Sequence, residues 1–343
     1  MRGWLALLLV FGCLLSTPKS SAGEPPPKVV VMYASPEGLQ RLREAAPDVR
    51  LVGVSDPEAA LAEIGDADGL IGVPTDAMIQ AGTRLRWVQV FSAGVERYLF
   101  DSLRTSDIVM TNAKVIQGPN VADQAMALLL VLTRGLHATL RHRGDWEESR
   151  KAGREYGPIE LHGKTALVLG LGGIGTEIAR RAAGFGMRVI ATAAHPDKPH
   201  PAFVDAVYGP GEMSAQLPKA DVVFVALPLV DETRGLLDAE AFAAFKPGAF
   251  LVNIARGKIV DTDALIAALE SGQVAGAGLD VTDPEPLPDD HPLWTRNDVV
   301  ITPHMGGSSD QVAARRAALF EHNLQQFAKG GELRNVVDKT RGY

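Results

Sequence analysis

The sequence predicts an α/β protein with two doubly wound, parallel-sheet domains and a cleft between them. Three observations lead to this prediction. Short apolar, β-branched runs alternate with helical stretches, which is typical of parallel β-α units. The alternation restarts after a polar break at Gly157-Pro158. The chain has 343 residues, and at roughly 150 residues per domain this length fits two domains.

The first β-α series begins with residues 28–33 (KVVVMY), an apolar, β-branched run typical of a strand buried on both faces. A helical pattern follows at residues 38–46. The remaining strand candidates, residues 49–54, 69–73 and 87–91, complete the first predicted sheet.

The longest helical candidate, residues 121–138, is apolar around much of its surface, so we expect it between layers or between domains. A polar, charged stretch follows at residues 141–156. The second β-α series starts at Lys164, and a final helical pattern covers residues 309–329. The strand candidates of the second β-α series are residues 165–169, 188–192, 221–226, 250–253, 276–280 and 299–301.

The first residues have the pattern of a secretory signal peptide, residues 1–22. Arg2 precedes an uncharged apolar run at residues 4–15, and small residues follow up to a cleavage site near Ala22. The run is shorter than the roughly 20 residues that a spanning helix needs. We therefore expect an exported protein, periplasmic or secreted, without a stable membrane span. An uncleaved interfacial anchor is the alternative.

Composition and charge narrow the class of protein. Apolar residues make up 46% of the chain and charged residues 22%, which is ordinary for a globular protein. The formal net charge is −7, without a long basic run, which disfavours a nucleic-acid partner because phosphate backbones are bound by clustered Lys and Arg. Cys13 is the only cysteine and lies within the predicted signal. The exported chain would thus have no disulfide and no cysteine metal site.

A glycine-rich motif stands between a predicted strand and a predicted helix. Residues 165–169 run into Gly170-Leu171-Gly172-Gly173-Ile174-Gly175, and residues 176–183 are helical in pattern. In this G-x-G-x-x-G context the first glycine permits a tight turn, the second lets a pyrophosphate approach, and the third allows close packing of helix on strand. The helix N-terminus favours phosphate. The motif predicts a Rossmann-like dinucleotide site; a tight turn without a ligand is the alternative.

The end of the next predicted strand bears on the choice of cofactor. An Asp or Glu that binds the ribose 2′-hydroxyl is expected there in an NAD site. The chain instead has Ala193-Ala194-His195-Pro196-Asp197-Lys198, with no acid at the strand end. Nothing there repels a 2′-phosphate, and His195 and Lys198 can attract one. This favours NADP over NAD, although both stay open and an ordinary solvated loop is the alternative.

Polar residues follow three further predicted strands. Arg256 comes after the strand at residues 250–253, Glu285 lies in the proline-rich loop after Asp280, and His304 precedes a glycine turn after residues 299–301. Open α/β sheets build their sites at the carboxyl ends of parallel strands. We therefore expect these residues to form one site.

The order and spacing of these motifs resemble the D-isomer specific 2-hydroxyacid dehydrogenase family, and within it the glyoxylate/hydroxypyruvate reductase-like members. The resemblance includes Leu227-Pro228-Leu229 and covers nearly all of the chain after about Lys28. It implies an NAD(P)-dependent oxidoreductase that interconverts a small 2-oxo acid and a D-2-hydroxy acid.

The resemblance also implies roles for matching residues. Arg256 would bind the substrate carboxylate and carbonyl oxygen, since its planar fork suits paired oxygens. His304 would be the general acid/base, and Glu285 would pair with it and favour the protonated ring. No metal is required. The other implied contacts are those of the substrate turn, Ala93, Gly94 and Val95, and of the cofactor, the loop residues 170–175 with Ala193, His195, Pro228, Ala255 and Asp280.

The implied organisation is a substrate domain of residues 28–125 plus 309–343, a cofactor domain of residues 126–308 inserted into it, and a homodimer formed through the cofactor domains. Two positions depart from the family pattern. Glu96 stands where Asp or Asn is commoner, and Asp123-Gln124 stands where Glu-His is often found. We expect neither departure to touch the catalytic triad.

Export motivates a second hypothesis, an exported non-catalytic protein that binds a cofactor or ligand on the same fold, because reduced nicotinamide is expected to be scarce outside the cytoplasm. The presence of Arg256, Glu285 and His304 argues against it. A formate-dehydrogenase-like relative is a third hypothesis, and Glu285 argues against it because that branch is expected to carry Gln. Glyoxylate, hydroxypyruvate, pyruvate and larger 2-oxo acids all stay open as substrates.

Overall fold

Two parallel β-sheets form the centre of the computed structural model, which describes residues 25–343. Each sheet has a core of apolar side chains on both faces. The predicted signal peptide, residues 1–22, and Cys13 lie outside the described residues. The predicted fold class, two parallel-sheet α/β domains, is confirmed.

The first sheet has five strands in the order β2-β1-β3-β4-β5. All five residues of β1, an inner strand of this sheet, are buried, as its mostly apolar, β-branched sequence predicts. The first three helices begin at side-chain caps: the Oγ of Ser35, for example, accepts a 3.1 Å hydrogen bond from the Gly38 amide. The elements are β1 (Lys28–Met32), α1 (Pro36–Ala45), β2 (Arg50–Val54), α2 (Pro57–Glu63), β3 (Gly69–Gly72), α3 (Asp76–Ala81), β4 (Trp87–Val90), α4 (Asp101–Arg104) and β5 (Val109–Thr111).

Three helices connect the first sheet to the second: α5 (Gly118–Thr133), α6 (Leu136–Leu140) and α7 (Trp146–Tyr156). The expectation of one continuous helix over residues 121–138 is wrong, because Gly135 adopts a left-handed conformation with φ of +64° and separates α5 from α6. Most of α5 is buried, as expected. The absence of a side chain at Gly278 gives Leu128 of α5 room to pack on the second sheet.

The second sheet has seven strands in the order β12-β11-β10-β9-β6-β7-β8, all pairing in parallel. The chain reverses its direction of progress across the sheet at β6, which lies between β7 and β9. Ligands bind at such switch points. The elements are β6 (Thr165–Leu169), α8 (Gly173–Gly184), β7 (Arg188–Thr192), β8 (Ala206–Tyr208), β9 (Val222–Val225), α9 (Ala239–Ala243), β10 (Ala249–Asn253), α10 (Thr262–Glu270), β11 (Val274–Leu279) and β12 (Val299–Ile301).

The chain returns to the first sheet through α11 (Val312–Lys329). Buried Leu319, Phe320 and Leu324 of α11 belong to the same apolar cluster as Val29 and Trp87. The chain thus leaves the first sheet and returns to it, while the division into residues 28–125 plus 309–343 and an inserted domain of residues 126–308 stays a prediction. Within residues 25–343, no helix combines the length and apolar character that crossing a bilayer requires.

Candidate active site

The glycine-rich loop, residues 170–175, lies at the switch point between β6 and α8. Gly170 has φ of +95°, and a Cβ there would lie 2.7 Å from the Ala226 carbonyl oxygen. A Cβ at Gly175 would overlap the carbonyl oxygen of Gly170, whereas one at Gly172 would meet no atom within 4 Å. The loop therefore requires glycine at its first and last positions and leaves open space at the middle one. This is the cradle that a dinucleotide pyrophosphate needs.

A cleft of about 220 Å³ lies between this loop and the first sheet. Five predicted cofactor contacts line it: Gly172, Gly173, Ile174, Pro228 and Ala255. All four predicted substrate contacts line it as well: Ala93, Gly94, Val95 and Arg256. The structure thus brings the predicted substrate contacts and half of the predicted cofactor contacts to the same cleft.

Arg256 crosses this cleft to the first sheet. Its Nε donates a 2.7 Å hydrogen bond to Oε1 of Glu96, and its Nη1 donates a 2.8 Å bond to the Ala255 carbonyl oxygen. Burial opposes ionisation of Glu96, but the hydrogen bond and the charge of Arg256 outweigh it and hold the pKa of Glu96 below its usual range. The expectation that Glu96 does not touch the triad is wrong, because Glu96 binds Arg256 directly.

His304 and Glu285 form the second pair of the site. The Nδ1 of His304 lies 2.6 Å from Oε1 of Glu285, and both side chains are partly exposed. His304 has φ of +51°, a left-handed conformation that is uncommon outside glycine and asparagine. Glu285 and His304 lie outside the lining of the cleft that holds Arg256. The loop that leads to Glu285 approaches the residue after Arg256, because Gly257 packs against the Thr282 carbonyl.

The carboxylate of Asp280 is buried and holds the turn that carries His304. Its Oδ1 accepts hydrogen bonds from Thr302 Oγ1 at 2.5 Å and from the Met305 amide at 3.1 Å, while its Oδ2 accepts one from the Gly306 amide at 2.9 Å. Gln124 belongs to the same network: its Nε2 donates a 2.9 Å hydrogen bond to Thr302 Oγ1 and a longer one, 3.5 Å, to Asp280 Oδ1. Gln124, a position that departs from the family pattern, therefore acts close to His304.

The two remaining predicted cofactor contacts lie at the end of β7. The amides of Gly170 and Leu171 donate 3.1 Å hydrogen bonds to the Thr192 carbonyl oxygen, so the glycine-rich loop is fixed to this strand end. Ala193 follows, and its amide bonds to the Tyr208 carbonyl oxygen. His195 lies further along, with its Nε2 3.2 Å from Nη1 of Arg341.

The sequence did not predict several residues that line the cleft. Asn112 and Lys114 from the end of β5 line the cleft, together with Gly342 and Tyr343 from the far end of the chain. Burial lowers the pKa of Lys114. No local motif marks these residues. Only the short distance in space between β5 and residues 336–343 brings them to the site.

Comparisons with known proteins show which family and which solved structures the chain is similar to. A family model described as D-isomer specific 2-hydroxyacid dehydrogenase, NAD binding domain, matches residues 126–306. The chain is 33% identical over 321 residues to glyoxylate/hydroxypyruvate reductase B of Shigella boydii, covering 91% of this chain and 98% of the relative.

Two solved structures illustrate the structural similarity. One is the NADPH-dependent glyoxylate/hydroxypyruvate reductase of Sinorhizobium meliloti in complex with NADP and sulfate, with a TM-score of 0.77 and 26% identity over 92% of this chain and all of the other. The second is the holo form of D-mandelate dehydrogenase from Rhodotorula graminis, with a TM-score of 0.80 and 26% identity over 92% of this chain and 98% of the other.

Proposed function

The chain belongs to the D-isomer specific 2-hydroxyacid dehydrogenase family, and on this premise we propose that it reduces a small 2-oxo acid to the D-2-hydroxy acid. One observation carries the proposal. Arg256, Glu285 and His304 follow the three adjacent strands β10, β11 and β12, at the same edge of the sheet as the glycine-rich loop. A nicotinamide cofactor bound at that loop supplies the hydride for the carbonyl carbon.

Arg256 is the substrate-binding group of this proposal. Glu96 holds its Nε and the Ala255 carbonyl holds its Nη1. Its Nη2 lies so close to Gly94 that a Cβ there would overlap it. An incoming carboxylate or carbonyl oxygen therefore meets Nη2 beside the backbone of the substrate turn. A guanidinium at this point stabilises the negative charge that grows on the carbonyl oxygen during reduction.

His304 is the proton donor of this proposal. Its Nδ1 faces the Glu285 carboxylate at 2.6 Å, which leaves Nε2 as the ring atom that can give a proton to substrate. The carboxylate orients the ring so that Nε2 can give its proton to the carbonyl oxygen in the direction of reduction. In the reverse direction the neutral ring accepts the hydroxyl proton at the same atom.

We propose glyoxylate and hydroxypyruvate as the first substrates to test, because relatives that match over most of both chains carry those names. We propose NADP as the preferred cofactor, with NAD as the alternative. The end of β7 has no carboxylate that would repel a 2′-phosphate, and two of the structural relatives were solved with NADP or NADPH.

A cofactor-consumption assay tests the function. The purified chain would be incubated with NADH or NADPH and glyoxylate, hydroxypyruvate, pyruvate or a larger 2-oxo acid, while loss of the reduced cofactor is followed. We expect turnover with at least one pairing and a D-configured product. Cofactor binding without turnover of any acid would favour the alternative, an exported non-catalytic binding protein.

Two further proposals concern the state of the protein. We propose export, which the pattern of residues 2–22 supports, and cell fractionation of the full chain with and without those residues tests it. We also propose a homodimer through α6 and α7, where Leu136, Leu140 and Trp146 are exposed. Replacing Leu140 and Trp146 by polar residues should shift the mass measured by light scattering to that of one chain.

A further inference from the structure

The last residues of the chain join the two halves of the molecule. Val336 forms an antiparallel bridge with Thr111, the last residue of β5, and the Val337 amide donates a 2.8 Å hydrogen bond to the Met110 carbonyl oxygen of the same strand. Lys339 Nζ contacts the Leu103 carbonyl oxygen at 3.1 Å. These contacts fix the segment to the first sheet and present the turn formed by residues 338–343 to the cleft.

The turn at residues 338–343 has a defined conformation. The amides of Thr340 and Arg341 both donate 3.0 Å hydrogen bonds to Oδ1 of Asp338, and the Gly342 amide donates a 2.8 Å bond to the Asp338 carbonyl oxygen. The Arg341 side chain then extends to the second sheet, where its Nη1 lies 3.2 Å from His195 Nε2. A guanidinium only donates hydrogen bonds, so His195 accepts this one.

The position of this contact follows from the glycine-rich loop. The loop is hydrogen-bonded to the end of β7 at Thr192, and His195 lies three residues beyond that strand end. In a dinucleotide site the adenine ribose lies at this strand end. A carboxylate there selects the free 2′-hydroxyl, and a guanidinium there accommodates a 2′-phosphate.

We propose that Arg341 is a specificity-determining residue that binds the 2′-phosphate of NADP together with His195. The proposal rests on the proposed function only in taking the glycine-rich loop as the cofactor site. Arg341 is supplied by the part of the chain that packs on the first sheet, whereas the rest of the dinucleotide site is built on the second. Binding of the 2′-phosphate would therefore also tie the two halves together across the cleft.

The charges around Arg341 fit this role. Its Nε lies 3.6 Å from Oδ2 of Asp338, which faces it from the same turn. Both side chains are about half exposed, so this ion pair is weakly stabilising. Nη1 points to His195 rather than to a carboxylate. Nη1 is thus shared with His195 and Nε faces Asp338, which leaves Nη2 as the fork nitrogen that can meet a phosphate approaching His195.

Equilibrium binding tests the proposal without relying on turnover. Dissociation constants for NADP⁺ and NAD⁺ would be measured by calorimetry for the full chain, for Arg341→Ala and for Arg341→Lys. Arg43→Ala, an exposed arginine of α1, is the matched control. We expect Arg341→Ala to weaken NADP⁺ binding about 5- to 30-fold, as loss of one partly exposed charge-assisted contact implies. NAD⁺ binding should change less than about twofold, and Lys should restore part of the loss.

The outcomes separate this inference from the proposed function. Equal weakening of both cofactors, no change in either, or a parent chain that binds NAD⁺ but not NADP⁺ would overturn the role of Arg341. A parent chain that discriminates between the cofactors through Arg341 but reduces no 2-oxo acid would support this inference and contradict the proposed function. An effect of Arg43→Ala equal to that of Arg341→Ala would indicate non-specific electrostatics and also overturn it.

Discussion

Glu96 accepts a 2.7 Å hydrogen bond from Nε of Arg256, and this ion pair crosses the cleft between the two sheets. Glu96 follows β4 of the first sheet and Arg256 follows β10 of the second. The residue proposed to bind the substrate is therefore positioned by the opposite half of the molecule. Glu96 leaves Nη2 as the free end of the fork, beside Gly94.

Because Glu96 holds Arg256, we expect a substitution of Glu96 to change kcat and KM differently. In Glu96→Gln the side chain keeps its size but loses the charge that fixes Arg256. We expect kcat for the 2-oxo acid to fall about tenfold because the guanidinium is less well oriented. KM should stay the same or fall, since the uncompensated arginine attracts the substrate carboxylate more strongly. Steady-state kinetics measures both, and Glu240→Gln on the exposed surface of α9 is the control. Unchanged kcat would show that Glu96 does not position Arg256.

The same pair predicts how stability depends on pH. The folded protein holds the pKa of Glu96 below its ordinary 4.5, so the folded state releases this proton at a lower pH than the unfolded state. The contribution is complete above pH 4.5 and is lost as the pH falls through the lowered pKa. We expect Glu96→Gln to reduce the free energy of unfolding by about 0.5–1 kcal/mol at neutral pH, since the pair is partly exposed. Denaturant titrations at several pH values should show the difference from the parent shrinking below pH 4.5; a constant difference would contradict the prediction.

We expect a substitution of Gly94 to reduce activity far more than it reduces the stability of the fold. A Cβ at Gly94 would overlap Nη2 of Arg256 and lie 2.7 Å from Oε2 of Glu96. Both atoms are at the ends of flexible side chains, so they can move away while the backbone stays in place. We expect Gly94→Ala to lower kcat/KM at least about 100-fold, given the sensitivity of catalysis to placement, and to change the free energy of unfolding by less than about 1 kcal/mol.

Gly257→Ala is the contrasting variant for this test. Its Cβ would overlap the Thr282 carbonyl group, which belongs to the backbone of the loop that leads to Glu285. That overlap requires a backbone shift, so we expect it to lower stability by more than about 2 kcal/mol as well as activity. Thermal unfolding and kinetics of the two variants together distinguish a local displacement of Arg256 from general loss of structure. Equal loss of stability in both would contradict the interpretation of Gly94.

The sequence predicted those parts of the fold and site that depend on local pattern. Each strand that the sequence proposed is present within a few residues, and the glycine-rich loop lies where its strand and helix context predicts. Arg256, Glu285 and His304 follow adjacent parallel strands because each lies just beyond an apolar run. The strands β5 and β8, of three residues each, were missed, whereas β12 is equally short and was identified because His304 and a glycine turn follow it.

Long-range contacts were beyond the sequence. Glu96 and Arg256 are 160 residues apart in the chain, and Arg341 and His195 are 146 apart. No periodicity or spacing relates such residues, because their meeting depends on how the two sheets are placed. The carboxylate of Asp280 illustrates a further limit: its residue type fits a ligand-binding role, yet its burial and its backbone donors appear only in three dimensions.

One substitution of His304 can remove the acid/base group without disturbing the turn that carries it. Asparagine tolerates the left-handed conformation that His304 adopts at φ of +51°, whereas alanine in this conformation costs about 1 kcal/mol. We expect His304→Asn to lower kcat about 100- to 10,000-fold, the range attributed to general acid/base catalysis, with cofactor affinity within about threefold of the parent. Single-turnover kinetics and cofactor titration check the two parts. A large loss of cofactor affinity would instead identify His304 as a structural residue.

Substitution of Asp280 tests whether its carboxylate positions His304 or contacts the cofactor. Both oxygens already accept hydrogen bonds within the turn: Oδ1 from Thr302 and the Met305 amide, and Oδ2 from the Gly306 amide. An asparagine side chain has one acceptor oxygen, and its other terminal atom is an NH₂ donor. In Asp280→Asn, whichever way the amide is turned, the Met305 amide or the Gly306 amide therefore loses its acceptor. Such a loss costs about 1–3 kcal/mol.

We therefore expect Asp280→Asn to lower the free energy of unfolding by that amount and to lower kcat about 10- to 100-fold through a displaced His304. Thr302→Val is the matched variant, since it removes one donor to the same carboxylate and leaves the carboxylate itself in place. A positioning role predicts that both variants lower kcat with little change in cofactor affinity. Binding of the nicotinamide carboxamide by Asp280 predicts instead that Asp280→Asn alone weakens the cofactor, and cofactor titration of the two variants decides between these roles.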